Sequence, residues 1–536
     1  MRSRSRRPLI ADLGGAGDRE AVVKELVGRV GSNPAILRGI SGSTVFGRAG
    51  YWLRSGPICG ASQPSAAQAN AMYALSMQVE RLECFLTHSW HASGIVKTVA
   101  LMLHFSGTAA LCVGIAAALL VSVLARVDAL PKWLGSTGGY EAYWCAYTFV
   151  DKETSPIGGS CFLIFAIFHA ITLLCWQGFC SRMHRWLGLN LGLRSIFLDK
   201  LCIHQGDHEL RKQGIEAIGG FLLCSDRLVV AWDQTYFQRI WCVFELAVFV
   251  SLNEEGSVEF VPVELYALEI FLACILYFSF TAKRFLCVAS HWMGLNGTLE
   301  TSFFFNLLLR YPFTMLMFAL LRRHLRAHLD LLRQLNRFSV AEAKCFDESD
   351  RSYVQKTIFT IYGTNDKFEY VVRHDLRKFI QSQMGRNGAM VLPCKSLLRI
   401  YVFVAWKWAG YLQAGMVSGF DPVSVLALFL LMLPTFIRLV LLVVQLNLRT
   451  TSRIGEVTTV AAAALLALSL TGVFSVFFEE ALQPYFLSAS IVLACITWTR
   501  PLLEWGTCWH TRPDGQVWES STEDSDAECS SSDESE

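Results

Sequence analysis

Two short apolar runs in this sequence end in polar side chains that could bind a ligand. The segment SIFLDK ends in Asp199 and Lys200, and CFLTHSW carries Thr87, His88 and Ser89 near its end. A short apolar run is typical of a buried parallel strand whose carboxyl end opens to solvent. The sequence therefore predicts a ligand or a loop at these strand ends.

One pair of histidines has a spacing that could bind a metal ion. His204 and His208 lie four residues apart, and on a helix this spacing presents two ligands to one metal. Gly206 and Asp207 between them favour a loop in which Asp207 caps the next helix, so we predict a cap and no metal site. The 17 cysteines lack the paired spacing of zinc sites, and no Gly-x-Gly-x-x-Gly fingerprint predicts a resident cofactor.

The segments around the apolar runs alternate between strand and helix patterns. HELRKQGIEAIGGFLLCS places Leu210, Ile215, Ile218 and Leu222 at helical spacing, and RLVVAW is a continuous apolar strand. YFQRIWCVFELAVFV then has one apolar helical face, and VEFVPVEL supplies another strand. This alternation predicts a parallel sheet with crossover helices, to which CFLTHSW can add the first strand.

These segments resemble, in order, the motifs of Toll/interleukin-1 receptor-like (TIR-like) domains. CFLTHSW resembles a first strand that ends near Ser-His-Ser, FLDK a Leu-Asp strand, and IWCVFEL the helix with Trp-Cys-x-x-Glu-Leu. FLDKLCIHQGD is also similar to an element of fungal heterokaryon-incompatibility domains, Asp-x-x-Cys-Ile-x-Gln. The sequence departs from the family at two places. Residues 98–179 contain two predicted membrane spans where the family has a short helix. Trp90 and His91 stand where an acidic residue is usual.

The resemblance implies a flavodoxin-like fold and, as in some members of the family, hydrolysis of NAD⁺. The catalytic glutamate of the family falls at Glu245, whose carboxylate would stabilise the oxocarbenium-like ribose as nicotinamide leaves. Trp241, one turn earlier on the same helix face, would flank the substrate pocket, and His88, Ser89 and Asp199 would line it. Many TIR-like domains are instead adaptors that assemble with one another, so a non-catalytic scaffold is the alternative.

The composition indicates a membrane protein. Of 536 residues, 53% are hydrophobic and only 17% are charged, which is too apolar for an ordinary soluble chain. We predict spans at 98–125, 160–179, 265–282, 302–321, 399–418, 423–446, 457–478 and 484–499. The fifth contains Lys407 and could lie at the interface, so the chain is expected to cross the bilayer about six to eight times. The basic start and the acidic, Ser-rich end are solvated tails and suggest no nucleic-acid partner.

The distribution of basic residues predicts the topology of the spans. Basic residues near short loops favour the cytosolic side, and they follow the second, fourth and sixth spans: Arg182, Arg185, Arg194, Arg322, Arg323, Arg326, Arg449 and Arg453. Both termini and the TIR-like module are therefore expected in the cytosol. Asn296 begins a glycosylation sequon that suits the opposite face, and Arg438 lies deep in a predicted span, where a charge is a candidate for transport.

The predicted fold is an α-helical polytopic membrane protein with an inserted α/β TIR-like module. In chain order we expect a disordered segment (1–75), the first part of the module (80–97), a membrane hairpin (98–179), the main part of the module (180–264), a second membrane hairpin (265–321), a cytosolic helical segment (322–397), three or four spans (398–500) and an acidic disordered tail (501–536).

The predicted function is signalling or sensing at a membrane. The module would act by self-association, by NAD⁺ glycohydrolysis, or by both. The alternative is a channel or transporter that a non-catalytic TIR-like module regulates.

Overall fold

A parallel four-stranded sheet lies among many helices in this protein. The structure is a computed structural model that describes residues 16–54, 64–90, 93–126, 157–189, 192–253, 256–271, 299–345 and 348–384, with isolated positions at 274, 455, 457–458 and 460–462. The strands are β1 (Arg38–Gly39), β2 (Met77–Gln78), β3 (Cys84–His88), β4 (Ile196–Phe197), β5 (Arg227–Trp232) and β6 (Ser257–Pro262).

Helices make up most of the described chain. They are α1 (Ala16–Ser32), α2 (Gly42–Arg54), α3 (Ala66–Tyr73), α4 (Gly94–Arg126), α5 (Ile157–Leu187), α6 (Asp199–Cys202), α7 (His208–Glu216), α8 (Ile218–Leu223), α9 (Ile240–Leu252), α10 (Leu299–Asn336), α11 (Glu348–Tyr362), α12 (Asn365–Tyr370) and α13 (Arg377–Met384). A π-helical turn, Val371–Leu376, joins α12 to α13.

The sheet has the strand order β4-β3-β5-β6, and all its neighbours are parallel. Every residue of β3 is buried, as expected of a strand inside a sheet that helices cover. The prediction of a parallel sheet with crossover helices is confirmed. The strand in SIFLDK is short, with only Ile196 and Phe197 in the ladder, because the chain turns into α6 at Asp199.

Strands are added to the sheet on both sides of β3. Among the four strands of this sheet β3 comes first in the sequence, yet it lies between β4 on one side and β5 on the other. Connections that leave neighbouring strands toward opposite sides open a crevice beyond the carboxyl ends of those strands. The ends of β3 and β5 are therefore the place in this sheet where a ligand is most easily held.

The segment 1–75, predicted to be disordered, contains three helices in its described part, so the prediction is wrong for residues 16–54 and 64–75. Helix α1 packs on α8 and buries Leu26. A Cβ at Gly220 would lie 2.5 Å from the Leu26 carbonyl oxygen, so glycine at this position permits the close approach. The burial of apolar side chains offsets the entropy of ordering this segment.

Helices α4 and α5 pack along each other as a hairpin. By length and composition alone, two stretches among the described residues, Gly94–Val121 and Ile164–Leu187, could each cross a bilayer. The early turns of α4 belong to the protein core, where Ala100, Leu101 and Leu103 are buried. Apolar side chains farther along the hairpin are exposed: Leu119, Leu120, Val123, Ile171 and Leu174.

Most other predicted spans fall outside the described residues. This applies to 399–418, 423–446, 484–499, most of 457–478 and the second half of 265–282, and also to Asn296 and Arg438. The predicted span 302–321 is helical and forms the first half of α10. The multi-pass topology therefore stays a prediction.

The segment after α10 packs against the sheet module, although the sequence suggested a separate unit. The backbone N–H of Ile240 donates to the Lys344 carbonyl at 3.2 Å, and that of Lys344 donates to the Gln238 carbonyl at 2.7 Å. Ser251 Oγ and Tyr362 Oη are 3.0 Å apart in the core between α9 and α11. Residues of both segments form one apolar core.

Candidate active site

Polar residues from three strands meet at the carboxyl edge of the sheet. His88 ends β3 and Ser89 follows it, Asp199 lies two residues after β4, and Asp233 follows β5 directly. His88 pairs in register with Ala231, which places the end of β3 beside the end of β5. This edge is the one at which the sequence predicted a ligand.

A short hydrogen-bond chain ties the loops after β3 and β5 together. Ser89 Oγ lies 2.7 Å from Thr235 Oγ1, which in turn donates to Asp233 Oδ1 at 2.6 Å. The backbone N–H of Thr235 donates to the same carboxylate oxygen at 2.6 Å. A carboxylate that accepts from the backbone two residues on forms a tight local turn, so the direction of the Asp233 side chain is fixed.

Lys97 brings a buried cation to this edge from the first turns of α4. The residue is 1% exposed, and its Nζ donates to the Ser89 carbonyl at 2.7 Å. Asp199 and Asp233 are both close enough to interact electrostatically with it. A buried ammonium group needs such partners because it has lost its hydration.

Asp199 is fixed by Trp90 and by its own helix start. The indole Nε1–H of Trp90 donates to Asp199 Oδ2 at 3.1 Å, and the backbone N–H of Lys200 donates to Oδ1 at 2.6 Å. Desolvation raises the pKa of Asp199, and these hydrogen bonds oppose the rise. The Nζ atoms of Lys97 and Lys200 each lie 5.5 Å from the centre of the Trp90 ring, so this tryptophan lies among the charged groups.

Glu245 joins the same cluster from helix α9. Desolvation raises the pKa of its carboxyl group to about 8, a hydrogen bond with Thr87 opposes the rise, and the charge of Asp199 adds to it. Thr87 also lies 2.9 Å from the buried hydroxyl of Tyr236. A carboxyl group that titrates near neutral pH beside a second carboxylate is typical of acid–base sites.

Two polar atoms of the cluster are enclosed and have no hydrogen-bond partner among the described residues. They are His88 Nε2 and Asp233 Oδ2, and each of the two residues is 8% exposed. Desolvation, followed by the charge of Lys97, holds the pKa of His88 well below its usual value, so the imidazole is neutral. Enclosed polar atoms without partners are costly, and they mark places where a ligand or water is expected.

Trp241 does not have the contacts expected of a pocket wall. Its ring stacks on Tyr353 of α11 with the ring centres 6.0 Å apart, and it meets Phe244 edge-on. Its described ring contacts are therefore with the packed core. The tryptophan that contacts His88 and Asp199 is Trp90, whose ring centre lies 4.5 Å from that of His88.

His204, one of the two histidines spaced as metal ligands, has a structural role. His204 Nε2 lies 2.9 Å from Asn70 Oδ1, and His204 Nδ1 accepts from the backbone N–H of Asp207 at 2.8 Å. Asp207 caps α7 by accepting from the Leu210 N–H at 3.0 Å, which confirms the predicted cap. Within the described ranges, no three His, Cys, Asp or Glu side chains are grouped as ligands of one metal ion would be.

Comparison with known proteins assigns neither a family nor a function to this chain. The chain matches no protein-family model, no curated protein and no solved structure. Any functional assignment therefore depends on the residues and geometry of the site itself.

Proposed function

We propose that this chain is a membrane-anchored signalling or sensing protein whose cytosolic TIR-like module hydrolyses NAD⁺ to ADP-ribose and nicotinamide. The observation that carries the proposal is Glu245, a carboxyl group with its pKa raised to about 8 at the carboxyl edge of a parallel sheet. Glu245 is also the position at which the TIR-like motif has its catalytic glutamate.

The sheet order supports the TIR-like interpretation. In β4-β3-β5-β6 the first of these four strands in the chain, β3, lies between the second and the third, as in flavodoxin-like sheets. Helix α9, which carries the Trp-Cys-x-x-Glu-Leu motif, packs on β3 and β5 beside their carboxyl ends. A fold alone does not define a function, so the proposed activity depends on the residues of the site.

The chemistry that this site could support is cleavage of the nicotinamide–ribose bond. The C1′–N bond breaks, its electron pair leaves with neutral nicotinamide, and water adds to C1′ and releases a proton. Ionised Glu245 would stabilise the positive charge that develops on the ribose. The cationic ring of bound NAD⁺ would favour this ionised form, since an opposite charge lowers the pKa of a carboxyl group.

Nicotinamide release by full-length protein purified in detergent tests the proposal. Glu245→Gln should lose at least about 100-fold of the turnover because it removes the ionisable group and keeps its shape. Glu209→Gln, on the exposed surface of α7, is the matched control and should keep full turnover. Equal turnover in wild type and Glu245→Gln would exclude the proposed role of Glu245.

The hairpin of α4 and α5 supports the membrane part of the proposal. Its exposed side chains include Leu119, Leu120 and Leu174, each more than half exposed. Exposed apolar side chains along two long apolar helices suit contact with lipid. We propose that this hairpin inserts in the bilayer and keeps the sheet module against its cytosolic face.

Self-association of the module is the other part of the proposed mechanism, and it rests on the TIR-like resemblance. The molar mass of the detergent-solubilised protein, measured by light scattering after size exclusion, tests it. We expect a mass that rises above the monomer as protein concentration increases. A monomer at all concentrations would contradict self-association and leave the catalytic proposal standing.

A further inference from the structure

The two enclosed acceptors at the sheet edge, Asp233 Oδ2 and His88 Nε2, need hydrogen-bond donors. Asp233 Oδ1 already accepts from Thr235, while Oδ2 has no partner among the described residues. A neutral imidazole has one donor nitrogen and one acceptor nitrogen, so His88 Nε2, which has no partner among the described residues, can accept a hydrogen bond.

Both acceptors belong to one place in the fold. His88 is paired with Ala231 across β3 and β5, and Asp233 follows Ala231 by two residues. Neighbouring parallel strands are about 4.8 Å apart, so the two strand ends are adjacent. Lys97 interacts electrostatically with both residues.

We propose that Asp233 and His88 bind the two hydroxyl groups of the ribose from which nicotinamide leaves. A vicinal diol offers two O–H donors and no charge, which suits two buried acceptors, one of them anionic. This inference rests on the proposed function and names the part of the substrate that the site recognises. In dinucleotide-binding sites of other folds, a carboxylate accepts a hydrogen bond from a ribose hydroxyl.

Because the two acceptors are enclosed, a side chain that covers them must move when the ligand enters. Trp90 is the partly exposed residue whose ring lies against His88, and its only described hydrogen bond is to Asp199. We expect the indole to move aside as the ribose binds. A change in tryptophan fluorescence that Trp90→Phe removes would report this movement.

The test compares two ligands on a protein that cannot turn them over. Full-length Glu245→Gln is titrated with nicotinamide mononucleotide and with its 2′,3′-dideoxy analogue by calorimetry. We expect the analogue to bind at least about 10-fold more weakly, since the loss of the diol leaves the buried acceptors unpaired. Adding Asp233→Asn should reduce this ratio several-fold, because the anionic acceptor is lost while His88 remains.

Asp226→Asn is the matched control. Asp226 precedes β5 as Asp233 follows it, but it lies on the exposed surface and pairs with Arg81 at 2.9 Å. Its substitution should leave the ratio of the two affinities unchanged. The comparison of ligands on Glu245→Gln alone needs no substitution at Asp233, so it remains informative if Asp233→Asn fails to fold.

The outcomes separate this inference from the proposed function. Equal binding of the two ligands, together with nicotinamide release from NAD⁺ by wild type, would overturn diol recognition and keep the hydrolase. Diol-dependent binding without any nicotinamide release would support the inference and overturn hydrolysis. Binding of neither ligand to the folded protein would overturn the inference.

Discussion

At the scale of single residues, Glu245 is an acidic group whose pKa the fold raises into the range around neutral pH. Its pKa is about 8 in the folded protein and about 4.3 in an unfolded chain. Between these values the folded state holds a proton that the unfolded chain has released. The contribution of protonated Glu245 to the free energy of unfolding is therefore fully present below about pH 4, and it is lost as the pH rises toward 8.

Replacing Glu245 with glutamine should stabilise the protein at neutral and alkaline pH. We expect a gain of about 1–3 kcal/mol at pH 8, which shrinks toward zero as the pH falls to about 4, because glutamine removes the cost of ionisation. Thermal unfolding in detergent at several pH values measures this difference. A stability gain that is the same at every pH would contradict the raised pKa.

The sequence indicated part of this site. Glu245 was predicted from its motif, and Asp199 and His88 from their positions after apolar runs. Lys97 was missed because it stands just before a long apolar stretch, where a lysine is usual at a membrane interface. Asp233 was missed because Lys97 and the end of β3 come beside it only through the order of the strands.

At the scale of elements, α4 links the site to the hairpin. Lys97 binds the Ser89 carbonyl near the start of this helix, and Leu101 and Leu103 anchor the next turns in the core. The same helix continues to Arg126, with exposed apolar side chains in its second half. The apolar pattern predicted this helix, but it did not show that the first turns cover the sheet, because core and lipid both select apolar residues.

The contact between α1 and α8 gives a test of the N-terminal helices. Gly220→Ala should destabilise the protein by about 1–3 kcal/mol, since the new methyl group would meet the Leu26 backbone. Gly28→Ala in α1 is the matched control, because a Cβ there has no neighbour within 4 Å, and it should be neutral or slightly stabilising. A disordered N-terminal segment would make both substitutions neutral.

At the scale of the whole molecule, a sheet module is joined to the long apolar hairpin of α4 and α5. The module and the helices after α10 share one core, whereas the second half of α4 and the helix α5 expose apolar side chains. The number of spans could not be deduced from the described residues, since most of the C-terminal apolar stretches lie outside them.

Two cysteines on the hairpin report whether lipid covers it. Cys112 of α4 and Cys175 of α5 are exposed on the protein surface. In sealed vesicles whose cytosolic face is outward, we expect both thiols to resist a membrane-impermeant maleimide and to react once detergent is added. A cysteine placed at Ser32, on the exposed surface of α1, should react in both conditions. Equal labelling of Cys112 and Cys175 before and after detergent would contradict insertion.

The most direct test of the central claim is the pH dependence of nicotinamide release from NAD⁺ by wild-type protein and Glu245→Gln. We expect kcat/KM of the wild type to rise from pH 6 to a plateau above about pH 8, as Glu245 of the free protein ionises. Glu245→Gln should stay at background at every pH while remaining folded. Wild-type rates in Glu245→Gln, or no release by folded and assembled wild type, would contradict the account.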